Sequence, residues 1–63
     1  MSQPTKGEIV TITVTNKVFN IQKGDQIVFN KIYFCNGEYQ VIGTRVDNGQ
    51  EIEIPDVFTD LVG

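Results

Sequence analysis

The chain has no histidine, no tryptophan and no alanine, and only one each of arginine, leucine and cysteine. Each shortage removes an option. Without histidine, the nucleophile–base pairs of covalent catalysis lack their usual base. The lone Cys35 excludes an intramolecular disulfide, and no Cys/His cluster offers a zinc site. With alanine absent and leucine reduced to Leu61, the residues that fill exposed helical faces are mostly missing, so long helices are not expected. No run is apolar for long enough to cross a membrane, and residues 1–6 lack the apolar stretch of a signal peptide. These absences predict a cytoplasmic protein without cofactor, metal or membrane contact, and an unpaired cysteine fits a reducing compartment.

What is present favours strands. Ile and Val supply most of the apolar content, joined by Phe and Tyr, and all four suit a pleated surface. A chain of 63 residues makes one domain at most, near the lower limit for folding without staples. The net charge of −3 is spread along the chain and argues against a duplex-binding protein built on many phosphate contacts. Scarce Ala and Arg beside abundant Ile, Asn and Lys point to an AT-rich coding genome, such as those of bacteriophages and mobile elements in low-GC bacteria.

Two Asn-Gly pairs, Asn36-Gly37 and Asn48-Gly49, organise the chain. Both residue types tolerate positive φ, so the pairs mark reversals between antiparallel strands. With Lys23-Gly24-Asp25 they cut residues 23–55 into strands joined by a reversal about every twelve residues, the spacing of a small all-β meander. Residues 1–6 are expected to form a flexible arm and 7–63 the domain. Val10, Ile12 and Val14 alternate with Thr11, Thr13 and Thr15 in a first strand with one buried face. Asn16-Lys17 reads as a turn into a short strand over 18–21, with Phe19 and Ile21 facing in.

A two-residue turn at Asn36-Gly37 sets Phe34 opposite Tyr39, Ile32 opposite Val41 and Asn30 opposite Gly43. Near the turn the apolar face then carries Ile32, Phe34, Tyr39 and Val41. Farther away the apolar residues, Ile27, Phe29, Ile42 and Val46, change face. Side chains alternate with period two, so either the ribbon kinks near Asn30 and Gly43, or both of its faces are covered. If the excess apolar face is not covered within the chain, a homodimer would cover it. At the second pair, a three-residue loop over 47–49 pairs Arg45 with Glu51 and groups Val46, Ile42, Ile52 and Ile54 on one face. Pro55 ends that strand, Asp56 caps a single helical turn through Phe58, and residues 60–62 add a last short strand.

This order of strands, turns and one late helical turn resembles the SH3-like barrel over residues 7–63. The resemblance implies a small barrel of about five strongly bent antiparallel strands. The tryptophan and acidic-aromatic motif with which signalling SH3 domains hold proline-rich ligands are missing, as are the clustered basic loops of ribosomal and elongation-factor relatives, so their functions do not transfer.

Candidate chemistry is sparse. Cys35 abuts a turn with no cationic neighbour in sequence to activate it. Glu51 and Glu53 share a strand face with no implied cleft, and no loop has the ligand spacing of an EF-hand. Phe19, Phe29, Phe34 and Phe58 are expected in the core. Tyr33, flanked by Lys31 and in register with Gln40, lies on the opposite face, where it could anchor a partner or stack on a base. The carboxylates crowding the C-terminal third either protect an edge or dock on a basic partner. The chain therefore reads as a non-catalytic protein-interaction module with Lys31, Tyr33, Gln40, Glu51 and Glu53 as candidate contacts. Single-stranded nucleic-acid binding through Tyr33 and Lys31 is one alternative. An acidic inhibitor seated in the basic groove of a host enzyme is the other.

Overall fold

The computed structural model describes residues 4–61. Four antiparallel strands follow in chain order: β1 (Ile9–Thr11), β2 (Gln26–Cys35), β3 (Glu38–Arg45) and β4 (Glu51–Pro55). A single 3-10 turn over Asp56–Phe58 comes after them. Each strand pairs only with its neighbours in sequence, giving one sheet of order β1-β2-β3-β4. The all-β class and the late helical turn are as the sequence implies.

The β2–β3 hairpin closes on Asn36 and Gly37, with φ of 52° and 85°. Positive φ at both central residues is the conformation whose twist matches that of the flanking strands. Phe34 faces Tyr39 and Ile32 faces Val41, as the turn demands. The ladder then slips: Lys31 faces Ile42 and Phe29 faces Gly43, leaving Asn30 as an extra residue on β2. This β-bulge is the expected kink, displaced by one residue from the Asn30–Gly43 pairing that a regular ladder would give. It changes the parity of β2, so Ile27 and Phe29 join Ile32 on the inner face. Ile27 and Phe29 are buried and Ile32 is half-buried.

The parity of β3 does not change. Val41 and Gly43 point inward, so Ile42 stays on the outer face and Val46 is exposed, contrary to the grouping expected for them. Gly43 is required by space: a Cβ there would lie 2.8 Å from Ile27 Cδ1 and 2.9 Å from the Val28 carbonyl oxygen. The β3–β4 register also differs. Thr44 faces Glu51 and Gly43 faces Ile52, which places Ile52 and Ile54 with Val41 on the inner face and leaves no Arg45–Glu51 pair. The loop is longer than expected, spanning residues 46–49. The Gly49 N–H donates to the Arg45 carbonyl at 2.9 Å, with Gly49 at φ 74°, and the Gln50 N–H turns to the Asn48 side-chain oxygen.

Two clusters fill the inner face. Val10, Ile27, Phe29 and Val41 form one, with Ile32, Ile52 and Leu61 against it. Ile12, Ile21 and Ile54 form the other, with Ile52 and Phe58 against it. Ile12 and Ile21 belong to the excursion between β1 and β2, which contains no strand. Asn16 and Ile21 exchange two backbone hydrogen bonds of 3.0 Å. Inside that loop the Asn16 side-chain oxygen accepts from the Val18 and Phe19 N–H groups. This local bonding replaces the short strand expected over 18–21, because Asn offers the backbone an alternative to a ladder. Phe19 consequently leaves the core and packs edge-on against Phe58, with ring centroids 5.6 Å apart. Phe34 is likewise exposed, in an edge-on pair with Tyr39 at the hairpin tip.

After the 3-10 turn the chain returns beside β1. Thr13 and Phe58, and Thr11 and Asp60, share backbone hydrogen bonds, and Ile12 bridges Thr59. A fifth strand does not form among the described residues. The Asp60 carboxylate takes the Thr11 N–H and the Thr59 hydroxyl takes the Leu61 N–H, so side chains accept bonds that a ladder would need. β1 and β4 share no ladder, and the sheet stays open where a closed barrel was expected. The first strand is also shorter than its Thr alternation suggests, and Val14 is partly exposed. Pro55, not Asp56, occupies the cap position of the 3-10 turn, with no side-chain cap bond. Residues 1–3 of the expected arm, and Val62 of the expected last strand, lie outside the described residues.

The only arginine ties two loops together. Arg45 donates to Asp47 through Nε and Nη2, to Asp25 through Nη2 at 3.0 Å, and to the Asn20 carbonyl through Nη1 at 2.7 Å. Its side chain is 11% exposed. Arg45→Ala should therefore lower stability by about 1–3 kcal/mol, the cost of several lost bonds and of a carboxylate left without its partner. Denaturant unfolding measures this. The hydrogen bond from Arg45 also holds the Asp47 carboxyl below its ordinary range. Such a depressed group stabilises the fold above its unfolded pKa of about 3.9, and that contribution is lost as pH falls through the folded value. Acidification below that point should weaken the native protein more than it weakens the Arg45→Ala variant.

Candidate functional site

The outer face of β2, β3 and β4 gathers all five residues singled out from the sequence. β2 presents Lys31 and Tyr33, β3 presents Gln40, and β4 presents Glu51 and Glu53. Tyr33 lies directly opposite Gln40, as the hairpin turn dictates. The phenol hydroxyl reaches past β3 and donates to the Glu53 carboxylate. Ile42 stands between Lys31 on one side and Glu53 on the other. Lys31 joins neither glutamate: the ion pairs among the described residues are those of Arg45 with Asp25 and Asp47.

Asn30 escapes a reading based on period two. As the bulged residue it swings its amide onto this face, where it donates to the Thr44 hydroxyl and the Glu51 carboxylate, both at 3.4 Å. The signal that could find it is the parity conflict along β2, which requires one extra residue near that position. Both glutamates are thus held from β2, Glu51 by Asn30 and Glu53 by Tyr33, while half of each carboxylate stays free. Val28 and Ile42 add half-buried apolar surface between the polar groups, and Ile9 adds an exposed one on the neighbouring β1.

The hydrogen bond to Glu53 changes the chemistry of Tyr33. Removing the phenol proton would break that bond and set two negative charges side by side, so its pKa is pushed up to about 12. The protonated phenol is the form that the fold favours. Its stabilising effect is complete below the unfolded value of about 10 and is lost as pH rises through the folded one. In a Tyr39→Phe background, which isolates Tyr33, phenolate absorbance should rise near pH 12. Adding Glu53→Ala should bring the transition back toward about 10, the ordinary tyrosine value.

β4 lies at the edge of the sheet. The Arg45 N–H donates to the Gln50 carbonyl, and alternation along an antiparallel ladder then turns the N–H and C=O groups of Ile52 and Ile54 toward β3. Those of Glu51 and Glu53 point away from the sheet. Among the described residues no backbone hydrogen bond outside the β3 ladder engages either residue. Pro55 falls on the same outward phase, where its missing N–H costs the ladder nothing. Elsewhere Cys35 is exposed next to the hairpin turn. Among the described residues no helix is long and apolar enough to cross a membrane, and no three Cys, Asp or Glu side chains cluster as metal ligands. Compared with models of protein families, with curated proteins and with solved structures, the chain matches none of them.

Proposed function

We propose that this chain is a non-catalytic protein-interaction module, an SH3-like arrangement that uses the outer face and free edge of β2–β4 to hold a partner protein. The element order, the 3-10 turn after β4 and the return of residues 58–60 beside β1 support the SH3-like reading. The observation that carries the function is the shared placement of Lys31, Tyr33, Gln40, Glu51 and Glu53 on one face, with Tyr33 hydrogen-bonded to Glu53. An aromatic ring fixed beside charged groups of both signs offers a partner area and orientation at little entropic cost. A cytoplasmic setting belongs to the same reading, since an exposed unpaired thiol suits a reducing compartment.

A nucleic-acid strand is the less suited occupant. Its phosphates would meet the carboxylates of Glu51 and Glu53, and the Tyr33 hydroxyl is already committed to one of them. The homodimer reading loses part of its ground, because the bulge at Asn30 sends Ile27 and Phe29 to the inner face, while Val28 and Ile42 stay half-buried on the outer one.

Affinity capture with the tagged chain and its Tyr33→Ala/Lys31→Glu variant tests the proposal, with circular dichroism to confirm that the variant folds. A protein retained by the native face and lost from the variant supports it. Retention that ignores the variant, or that disappears on nuclease treatment, refutes it.

A further inference from the structure

We propose that β4 accepts an added strand from the partner, and that the segment which adds itself alternates basic with apolar residues. The proposal rests on the interaction-module reading and names what that module binds. Its ground is the open edge: the N–H and C=O groups of Glu51 and Glu53 project outward and meet no backbone partner among the described residues. Edges of this kind are templates for an extended chain, whose backbone supplies affinity while its alternate side chains supply selectivity.

The two faces beside that edge differ in chemistry. On the outer face stand the carboxylates of Glu51 and Glu53, held by Asn30 and Tyr33 and without a cation among the described residues. On the inner face stand Ile52, half-buried, and Ile54, fully buried. Side chains of an added strand would fall alternately on these faces. Those on the outer face lie beside carboxylates, where lysine or arginine is complementary. Those on the inner face extend the apolar layer over Ile52. The nearest cation on this face, Lys31, sits on β2, two strands away from the edge, and does not occupy the place of the partner's charge.

The same residues argue against a second copy of the chain. Antiparallel pairing of two β4 edges about Ile52 would set Glu51 opposite the partner copy's Glu53, and Glu53 opposite the partner copy's Glu51. Like charges directly opposed on one face destabilise a pair of strands. The glutamates therefore reject self-pairing and select a basic strand at once.

The test uses an acetylated, amidated peptide of about eight residues, alternating lysine and valine, which gives one residue to each face in turn. It is titrated into the isotope-labelled chain at low salt and followed by amide shifts and amide hydrogen exchange. The expected result is saturable binding with exchange at Glu51 and Glu53 slowed at least about tenfold, as their N–H groups gain acceptors. The Glu51→Gln/Glu53→Gln variant, which keeps acceptors for Asn30 and Tyr33, should bind roughly tenfold more weakly. A glutamate–valine peptide should not bind. Absence of saturable lysine–valine binding at about 1 mM, an affinity too weak for specific recognition, overturns the proposal. So does equal binding of a peptide N-methylated at every second residue, because that peptide cannot form the ladder. Shifts confined to Tyr33, Lys31 and Gln40, with Glu51 and Glu53 exchange unchanged, also defeat strand addition. They leave the interaction-module reading standing, whereas that reading falls separately if capture ignores the Tyr33→Ala/Lys31→Glu change.

Discussion

Gly43→Ala is expected to remove a large part of the protein's stability while leaving it folded at room temperature. The new Cβ would sit 2.8 Å from Ile27 Cδ1, 3.2 Å from Ile27 Cγ1 and 2.9 Å from the Val28 carbonyl oxygen. The side chain can move aside, but the carbonyl belongs to the neighbouring strand, and moving it means separating β2 from β3. Overpacking of this kind costs about 1–3 kcal/mol. A domain of this size holds a margin of only about 3–5 kcal/mol. Thermal unfolding should then fall by roughly 4–24 °C, since each kcal/mol moves the midpoint by about 4–8 °C in a small domain. Ile27→Val in the same chain removes Cδ1 and should restore part of the loss, while the carbonyl contact keeps the remainder. Full rescue by Ile27→Val would mean that the approach to the Val28 carbonyl costs nothing, contrary to this expectation.

Ile21→Ala is the second large effect, expected at about 2–4 kcal/mol, the usual cost of emptying a buried aliphatic site. Ile21 is 1% exposed and packs with Ile12 and Ile54, although it sits in a stretch without a strand. Val18, three residues earlier, is 89% exposed. Val18→Ser should stay within about 0.5 kcal/mol. Denaturant midpoints of the two variants give the contrast directly. Similar losses at both positions would mean that the 17–20 loop packs as the strand its apolar residues suggest.

Where the chain's turn chemistry is local, its structure was legible. Asn36-Gly37 dictates a two-residue reversal, and with it the opposition of Phe34 to Tyr39 and of Tyr33 to Gln40. The placement of Tyr33, Lys31 and Gln40 on one face follows from that turn alone. The bulge was legible as a conflict, because Ile27 and Phe29 could not share a face with Ile32 unless β2 gained a residue. What it did not disclose was which strand would give way. Space decides that: Gly43 brings β3 close to Ile27, so β2 carries the extra residue and β3 keeps its alternation.

The misread elements are those where side chains compete with the backbone. Asn16 folds residues 17–20 into a loop by bonding their N–H groups, and Asp60 and Thr59 do the same at the return segment. The β3–β4 loop closes on Arg45, whose carbonyl takes the Gly49 N–H while its side chain bonds Asp25 and Asp47, contacts that no pairing rule anticipates. Glu51 and Glu53 share a face with Tyr33 for a reason unavailable in sequence: the register that a shorter loop would set puts them on the opposite face, and the observed shift by one residue brings them across. Their anchors, Asn30 and Tyr33, depend on the bulge and on contacts across three strands.

The inner face and the candidate site both depend on the extra residue in β2, which unites the core and sends Asn30 to the outer face. The most direct measurement is the cross-strand Hα–Hα contact at Gly43 in a nuclear Overhauser spectrum, because residues in non-hydrogen-bonded antiparallel pairs approach closely there. A cross-peak between Phe29 and Gly43 is predicted. A cross-peak between Asn30 and Gly43 in its place would mean an unbroken ladder, and would contradict both the packing of the inner face and the arrangement of the candidate site.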